Sequence, residues 1–291
     1  SRVNNLIPPN LTSEKILTGD INYVFRWPKL QGRITGYYTK FIDAIETGFY
    51  FAEGLRGNQA DFVSEVLTGV EKKHIGVEAG VEYALTSAVK FLGAVAVGQF
   101  TYDNNPKLYL KSESFINAES DFGTAYLKNY KLSGTPQRAY SLGFEYRDPA
   151  YYWFQLSGNF LSNNYLNVSP LLRTINFNLD ANGAPFIDAD TGVQITQEQV
   201  NTLLQQEKFD AMLLMNIVAG KSWKIKDNYY GIFASINNVL GETYKTGGFE
   251  QTRNANYPEL KQDKDLENPI FSPKYWYNNG TSFYINFYVR F

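Results

Sequence analysis

Apolar and polar residues alternate along much of this chain, and the alternation recurs with its phase intact over runs of seven or more residues. Ile21, Tyr23, Phe25 and Trp27 share one side of an extended segment. Ile75, Val77, Ala79, Val81 and Tyr83 share a side against Gly76, Glu78, Gly80 and Glu82. The same pattern sets Val89, Phe91, Val95 and Val97 against Lys90, Leu92, Ala94, Ala96 and Gly98. It recurs at Tyr140, Leu142, Phe144 and Tyr146, at Tyr152, Phe154, Leu156 and Phe160, at Leu213, Met215 and Ile217, and at Tyr230, Ile232, Ala234 and Ile236. The chain closes on TSFYINFYVRF, with Phe283, Ile285, Phe287, Val289 and Phe291 on one face. A period of two is the signature of β-strands with two unlike faces.

The pattern predicts nine strands, at 13–27, 31–43, 60–85, 88–102, 131–147, 151–165, 211–225, 229–242 and 279–291. Several exceed 10 residues, whereas strands of soluble domains run to about 5–6. Their polar sides are rich in Gly, Ala, Ser and Asn, which suits a wide lumen, and their apolar sides suit lipid. The connections alternate in length. Short turns fall at Arg26-Trp27-Pro28-Lys29-Leu30, Leu85-Thr86-Ser87-Ala88, Arg147-Asp148-Pro149-Ala150 and Lys224-Ile225-Lys226-Asp227-Asn228, and long polar stretches at about 42–60, 103–130, 162–210 and 242–278. Short periplasmic turns opposite long extracellular loops characterise outer-membrane β-barrels. Thr196 and Gln199 have the spacing of a capping box, so a short helix is expected in the third long stretch.

Composition agrees with a membrane barrel and excludes other classes. Of 291 residues 44% are hydrophobic, yet 23 are Gly, and no window approaches the roughly 18 uninterrupted apolar residues that a spanning helix needs. The net charge of −2 lacks the basic footprint of a nucleic-acid binder. Cysteine is absent, His74 is the single histidine, and no phosphate-binding or dinucleotide Gly motif occurs, so neither an enzyme nor a bound cofactor is expected.

Nine is odd, whereas single-chain bacterial barrels use even numbers. The first strand descends into a short turn and the last also descends, so the segment is expected to be the C-terminal part of a larger barrel, 1–291 throughout, without a plug domain or signal peptide. The rival account is one strand overlooked in 1–12 or in a long loop.

Several segments resemble TonB-dependent outer-membrane receptors of the Bacteroidetes type. Gly19-Asp20-Ile21-Asn22-Tyr23, with Arg26-Trp27-Pro28 and Gly36-Tyr37-Tyr38-Thr39-Lys40-Phe41, is similar to a mid-barrel hairpin of that family. Ser235 to Tyr244 (SINNVLGETY) is similar to its penultimate strand, and Gly247-Gly248-Phe249-Glu250-Gln251, Pro273-Lys274-Tyr275-Trp276-Tyr277 and the terminal Phe291 extend the match. The resemblance implies a barrel of about 22 strands, a plug, TonB-driven import of a scarce ligand (siderophore, oligosaccharide, peptide or cobalamin), and location in the bacterial outer membrane. Implied partners are the TonB complex, the barrel-assembly machinery, outer-membrane lipid and a surface lipoprotein, with no nucleic acid. The alternative is a self-contained porin-like or adhesin barrel.

Four sets of residues carry candidate chemistry. Phe49, Tyr50, Phe51 and Phe249 are aromatics in expected loops, where ligand capture is common. Trp27, Tyr151, Tyr152, Trp153 and Trp223 flank short turns and are expected in the interfacial girdle. Phe287, Val289 and Phe291 form a terminal strand that offers its edge for strand addition by the assembly machinery. Asp180, Asn182, Asp188 and Asp190 echo a calcium loop, although the full ligand order is missing and such clusters form ordinary Asx turns.

Overall fold

In the computed structural model the described residues are all but 1–7, 10, 56–58, 113–118, 181, 189–190 and 254–255. They form thirteen strands: β1 Lys15–Arg26, β2 Leu30–Leu55, β3 Gln59–Ala84, β4 Val89–Tyr102, β5 Lys107–Lys111, β6 Glu119–Thr124, β7 Arg138–Arg147, β8 Tyr152–Ser162, β9 Met212–Ile225, β10 Asn228–Asn237, β11 Lys245–Phe249, β12 Lys274–Tyr277 and β13 Ser282–Arg290. Two short helices, α1 Gln197–Leu203 and α2 Tyr257–Lys264, lie in the connections. Among the described residues no helix is long and apolar enough to cross a membrane.

Nine strands make the wall, in the order β1-β2-β3-β4-β7-β8-β9-β10-β13, all antiparallel. These are the nine strands expected from the alternation. The register shows why the alternation is coherent. Tyr23, Ile34, Ala79, Val95, Tyr140, Phe160 and Leu213 lie opposite one another across seven strands. A second row runs Leu30, Tyr83, Phe91, Phe144, Leu156, Ile217, Ile236 and Phe283. Each apolar stripe therefore falls on the same face of the sheet, and that face is exposed: Ile21 is 82% accessible and Leu142 75%. In lipid such exposure removes apolar surface from water. The opposite face carries rows such as Arg33, Gly80, Ala94, Ser141 and Asn159, and Thr35, Glu78, Ala96, Ala139 and Leu161.

The short connections are tight. Trp27 and Leu30 exchange backbone hydrogen bonds of 2.8 and 3.3 Å around Pro28. Ile225 pairs directly with Asn228, and Lys226 takes φ 55° in the two-residue turn between them. Strand ends have local causes. Asn163 (φ 60°) ends β8 and Asn238 (φ 51°) ends β10, both ahead of the expected 165 and 242. β7 begins at Arg138 rather than 131, because Gly134 (φ 92°) and Pro136 interrupt the ladder just before it.

The long connections depart most from expectation. The stretch 42–60 is largely strand: β2 and β3 stay paired from Ala44–Val70 to Leu55–Gln59, forming a ribbon beyond the wall. Bulges between Phe41 and Glu46, with Asp43 at φ 60°, shift the phase, so the alternation appears to stop although the ladder continues. The stretch 103–130 contributes β5 and β6, which extend the ribbon from β3. The stretch 242–278 contains β11, β12 and α2. The capping box stands as expected: Gln199 N–H donates to the Thr196 hydroxyl, and Thr196 N–H to the Gln199 side-chain carbonyl at 2.8 Å.

The lipid face predicts its own test. Leu142→Arg should destabilise the assembled barrel by about 2–4 kcal/mol, whereas Ser141→Lys on the other face should cost under about 1 kcal/mol. Urea unfolding of the full receptor in micelles separates the two; equal losses would sink the face assignment.

Candidate functional site

The long connections pack into a cap with two apolar centres. One joins Val63, Leu67 and Val70 of the ribbon to Leu108 and Leu110 of β5, Leu127, Val168 and Leu171. The other joins Leu172, Phe177, Val200 and Leu204 to Tyr257 and Leu260 of α2. Arg173 links the parts of this cap. Its side chain is almost wholly buried and forms a bidentate pair with Glu250 of the β10–β13 connection, one bond at 2.8 Å and a second from Nη1. Nη2 also donates to the Leu204 carbonyl at 2.9 Å, and the guanidinium lies 4.9 Å from the Tyr130 ring centre. One cation thus draws together residues from three connections.

The four candidate ligand aromatics do not converge. Tyr50 turns into the first apolar centre, where its hydroxyl donates to Glu65 at 2.7 Å. Phe49 and Phe51 take the other face of the ribbon. Phe49, 70% exposed, stacks on Phe62 at 5.8 Å and 9°, and Phe51 meets the same ring edge-on at 5.0 Å. The Arg253 guanidinium sits over Phe51 (5.1 Å) and Phe271 (4.6 Å). Phe249 lies on β11 beside Trp276 at 5.8 Å, apart from this group. Phe49 and Phe51 thus sit on a paired strand, and Phe62, Arg253 and Phe271 join them. Strand phase beyond the bulges decides this grouping, and no local motif announces it.

On the concave face a cavity of about 390 Å³ is lined by Arg33, Thr35, Glu78, Gly80, Ala94, Ala96, Ser141 and Asn159. Bulky residues on this face lie across glycines: Tyr37 over Gly76 and Gly98, and Tyr288 over Gly231, with its hydroxyl 2.7 Å from Ser222 Oγ. Trp153 behaves in the same way, covering Gly220 beside Arg147. Its place in the lipid girdle is therefore corrected. Tyr152 and Trp153 are consecutive on one strand, so only one can face lipid, and the register gives that face to Tyr152. Trp27, Tyr152 and Trp223 stand exposed beside short turns on the lipid face, and Tyr151 lies in its turn at φ 64°. Phe287 and Val289 continue the apolar rows, and Phe291 is 94% exposed beyond them.

The acidic cluster forms turns. Asp180 Oδ1 accepts from the Asn182 and Ala184 amides at 2.8 and 2.9 Å. Asp188 accepts from the Thr191 amide and from Gln199, with Lys261 at 3.7 Å. Asp190 lies outside the described residues. Among the described residues no group of three His, Cys, Asp or Glu side chains is placed to hold a metal.

Glu65 is the electrostatic outlier. It lies ten residues beyond Ile75 on β3, about 30 Å past the apolar lipid-facing stretch. Burial pushes its carboxyl up to about 7, partly opposed by the Tyr50 hydrogen bond and reinforced by Glu46. Glu46 is itself held by Lys72 and by the Tyr102 hydroxyl at 2.9 Å.

Two outcomes follow. The folded state holds the Glu65 proton more tightly than the unfolded chain. Stability therefore falls as pH rises from the ordinary carboxyl range to about 7, by about 3 kcal/mol. Glu65→Gln should flatten that slope in unfolding measured between pH 4.5 and 8; an unchanged slope would remove Glu65 as its source. Arg173→Met leaves Glu250 buried without its partner and should cost about 3–5 kcal/mol, read as early loss of cap hydrogen-exchange protection. The double change with Glu250→Leu should recover much of it.

Comparison with known proteins places this geometry. A family model described as "TonB dependent receptor-like, beta-barrel" matches residues 1–239. No match was found among curated proteins. Among solved structures the copper transporter OprC aligns over 95% of this chain at 16% identity and a TM-score of 0.48, and the chain spans 32% of that protein's length. The family match covers most of the wall and the first three long connections, and on it the chain belongs to the TonB-dependent receptor-like β-barrel family, a family of the outer membrane.

Proposed function

We propose that this chain supplies barrel wall and outer capture surface to a TonB-dependent importer of a scarce ligand. The observation that carries the proposal is an open lipid-facing sheet bearing a packed outer cap. Among the described residues β1 pairs only with β2, and β13 only with β10. A wall strand in lipid must have its backbone N–H and C=O groups paired on both sides, because hydrocarbon offers none. In this reading further strands complete the wall, and the chain is part of a larger barrel of about 22 strands. A self-contained small barrel would instead join β1 to β13.

In this reading the concave face, with Arg33, Glu78, Glu82 and Lys90, receives a plug that couples to the TonB complex. The exposed ring of Phe49 with half-buried Phe51 beside it, and separately Phe249 with Trp276, meet ligand at the cell surface. Trp27, Tyr151, Tyr152 and Trp223 seat the short-turn rim in the lipid interface. The free edge of β13, ending in Phe287, Val289 and Phe291, is offered to the barrel-assembly machinery. A surface lipoprotein covering the cap belongs to the Bacteroidetes-type form of the proposal. The ligand class stays open among siderophore, oligosaccharide, peptide and cobalamin.

The test is energy dependence. Cells relying on the full-length receptor are supplied in turn with ferric chelates, cobalamin, oligosaccharides or peptides as the limiting nutrient. Receptor-dependent growth should cease when TonB is deleted or a protonophore is added. Growth that survives both treatments marks passive passage and overturns the proposal. For the nutrient found, Phe49→Ala should weaken binding by about tenfold, the scale of one lost aromatic contact.

A further inference from the structure

Lys15, Lys40, Lys73 and Arg138 share the lipid-facing register, at the outer ends of its apolar stretches. Lys221 on β9 shares that register but stands at the other end, near the short turns. Its row runs Tyr152, Lys221, Ile232 and Phe287. The row nearer the turns holds Trp223, Tyr230 and Val289, and the row on its other side Phe154, Ala219, Ala234 and Ile285. The Lys221 ammonium lies 5.1 Å from the Tyr152 ring centre and 5.8 Å from that of Trp223. Among the described residues it forms no ion pair. A lysine between apolar rows at a lipid boundary carries its charge to the headgroup level, and here two girdle rings hold it there.

A carboxylate stands beside it. The Ser222 amide donates to the Tyr151 carbonyl at 2.9 Å, which brings the 148–151 turn against the strand of Lys221. Asp148 accepts from the Tyr146 hydroxyl and from the Ala150 amide, each at 2.7 Å. Tyr146 and Tyr152 both belong to the lipid-facing register, with ring centres 6.1 Å apart, so Asp148 is drawn to that side. Its carboxylate feels the charge of Lys221, yet the two are not joined. Cation and anion standing side by side but apart complement a zwitterion. Exposed Phe287 and Ile285 continue from them along the apolar face, where an acyl chain can lie. We propose that Lys221 and Asp148, with the rings of Tyr152 and Trp223, form a site for a phospholipid whose headgroup carries a phosphate and a primary ammonium, as phosphatidylethanolamine does. Lys221 meets the phosphate. Asp148 accepts from the ammonium, whose three N–H donors a quaternary choline lacks. The short turns place the site in the periplasmic leaflet.

The experiment titrates the full-length receptor in micelles with phosphatidylethanolamine, phosphatidylcholine or phosphatidylglycerol and counts bound lipid by native mass spectrometry. The parent should bind phosphatidylethanolamine about tenfold more tightly than either of the others, the scale of one charge-assisted hydrogen bond. Lys221→Ala should weaken phosphatidylethanolamine and phosphatidylglycerol alike by about five- to tenfold, and Lys221→Arg should retain both. Asp148→Asn should weaken phosphatidylethanolamine alone. Lys224→Ala removes a charge from the opposite face and should change none of the three. Heat-modifiable migration at the parent level certifies the fold of each variant. Equal binding of the three lipids by the parent overturns the site. So does an equal loss from Lys221→Ala and Lys224→Ala, which marks a general effect of net charge. A preference for phosphatidylethanolamine that survives Asp148→Asn overturns the assignment of the ammonium and with it the headgroup.

Discussion

Hydrocarbon offers no partner to a backbone amide or carbonyl, and that single fact governs the wall of this protein. Every wall strand must be laddered to neighbours, so strands cannot end, bulge or turn inside the lipid without leaving polar groups unpaired. Seven of the nine wall strands are paired on both edges, β1 and β13 on one; the ladders run unbroken through the apolar band, and the bulges of β2 and β3 begin only beyond it, between Phe41 and Glu46. Unbroken pairing then enforces strict side-chain alternation. Rows such as Tyr23 to Leu213 arise from this constraint, as does the opposite face of small and polar residues, where Tyr37, Trp153 and Tyr288 find room only over glycines.

Past the lipid the rules change to those of a water-soluble protein. The cap buries its own apolar centres and tolerates irregular backbone because side chains and water can satisfy it. Its charged groups are buried only in company. Arg173 has Glu250, two carbonyls and a ring, and Glu65 has Tyr50, with burial raising its carboxyl to about 7. Rigidity at Arg173 is a consequence of burial, because removing water strengthens its pair with Glu250. The aromatic group of Phe49, Phe51 and Phe62 stands beside Arg253 at one edge of the ribbon.

The nine wall strands, their apolar faces, the four tight turns and the capped helix at Thr196 were legible in the chain because each depends on neighbours two to four residues away. The ribbon of 42–60 was not, since two bulges shift the phase and make a continuing strand look like a loop. Nor were β5 and β6, which are five and six residues long and gain their definition from pairing with β3 and each other. Trp153 was misplaced for a plainer reason. Three aromatics in a row look like one girdle, but a strand divides consecutive residues between opposite faces.

What the sequence by itself determined is therefore the material of the wall: which residues meet lipid, which meet the lumen, and where the chain turns back. These follow from local periodicity, and lipid makes that periodicity strict. The tertiary structure alone decided which residues meet across the cap. Arg173 and Glu250 are far apart in sequence, as are Phe51 and Arg253, and nothing near either partner marks the other. Their pairing is set by how four irregular connections pack above a curved sheet, where burial selects the partner that satisfies each charge and ring.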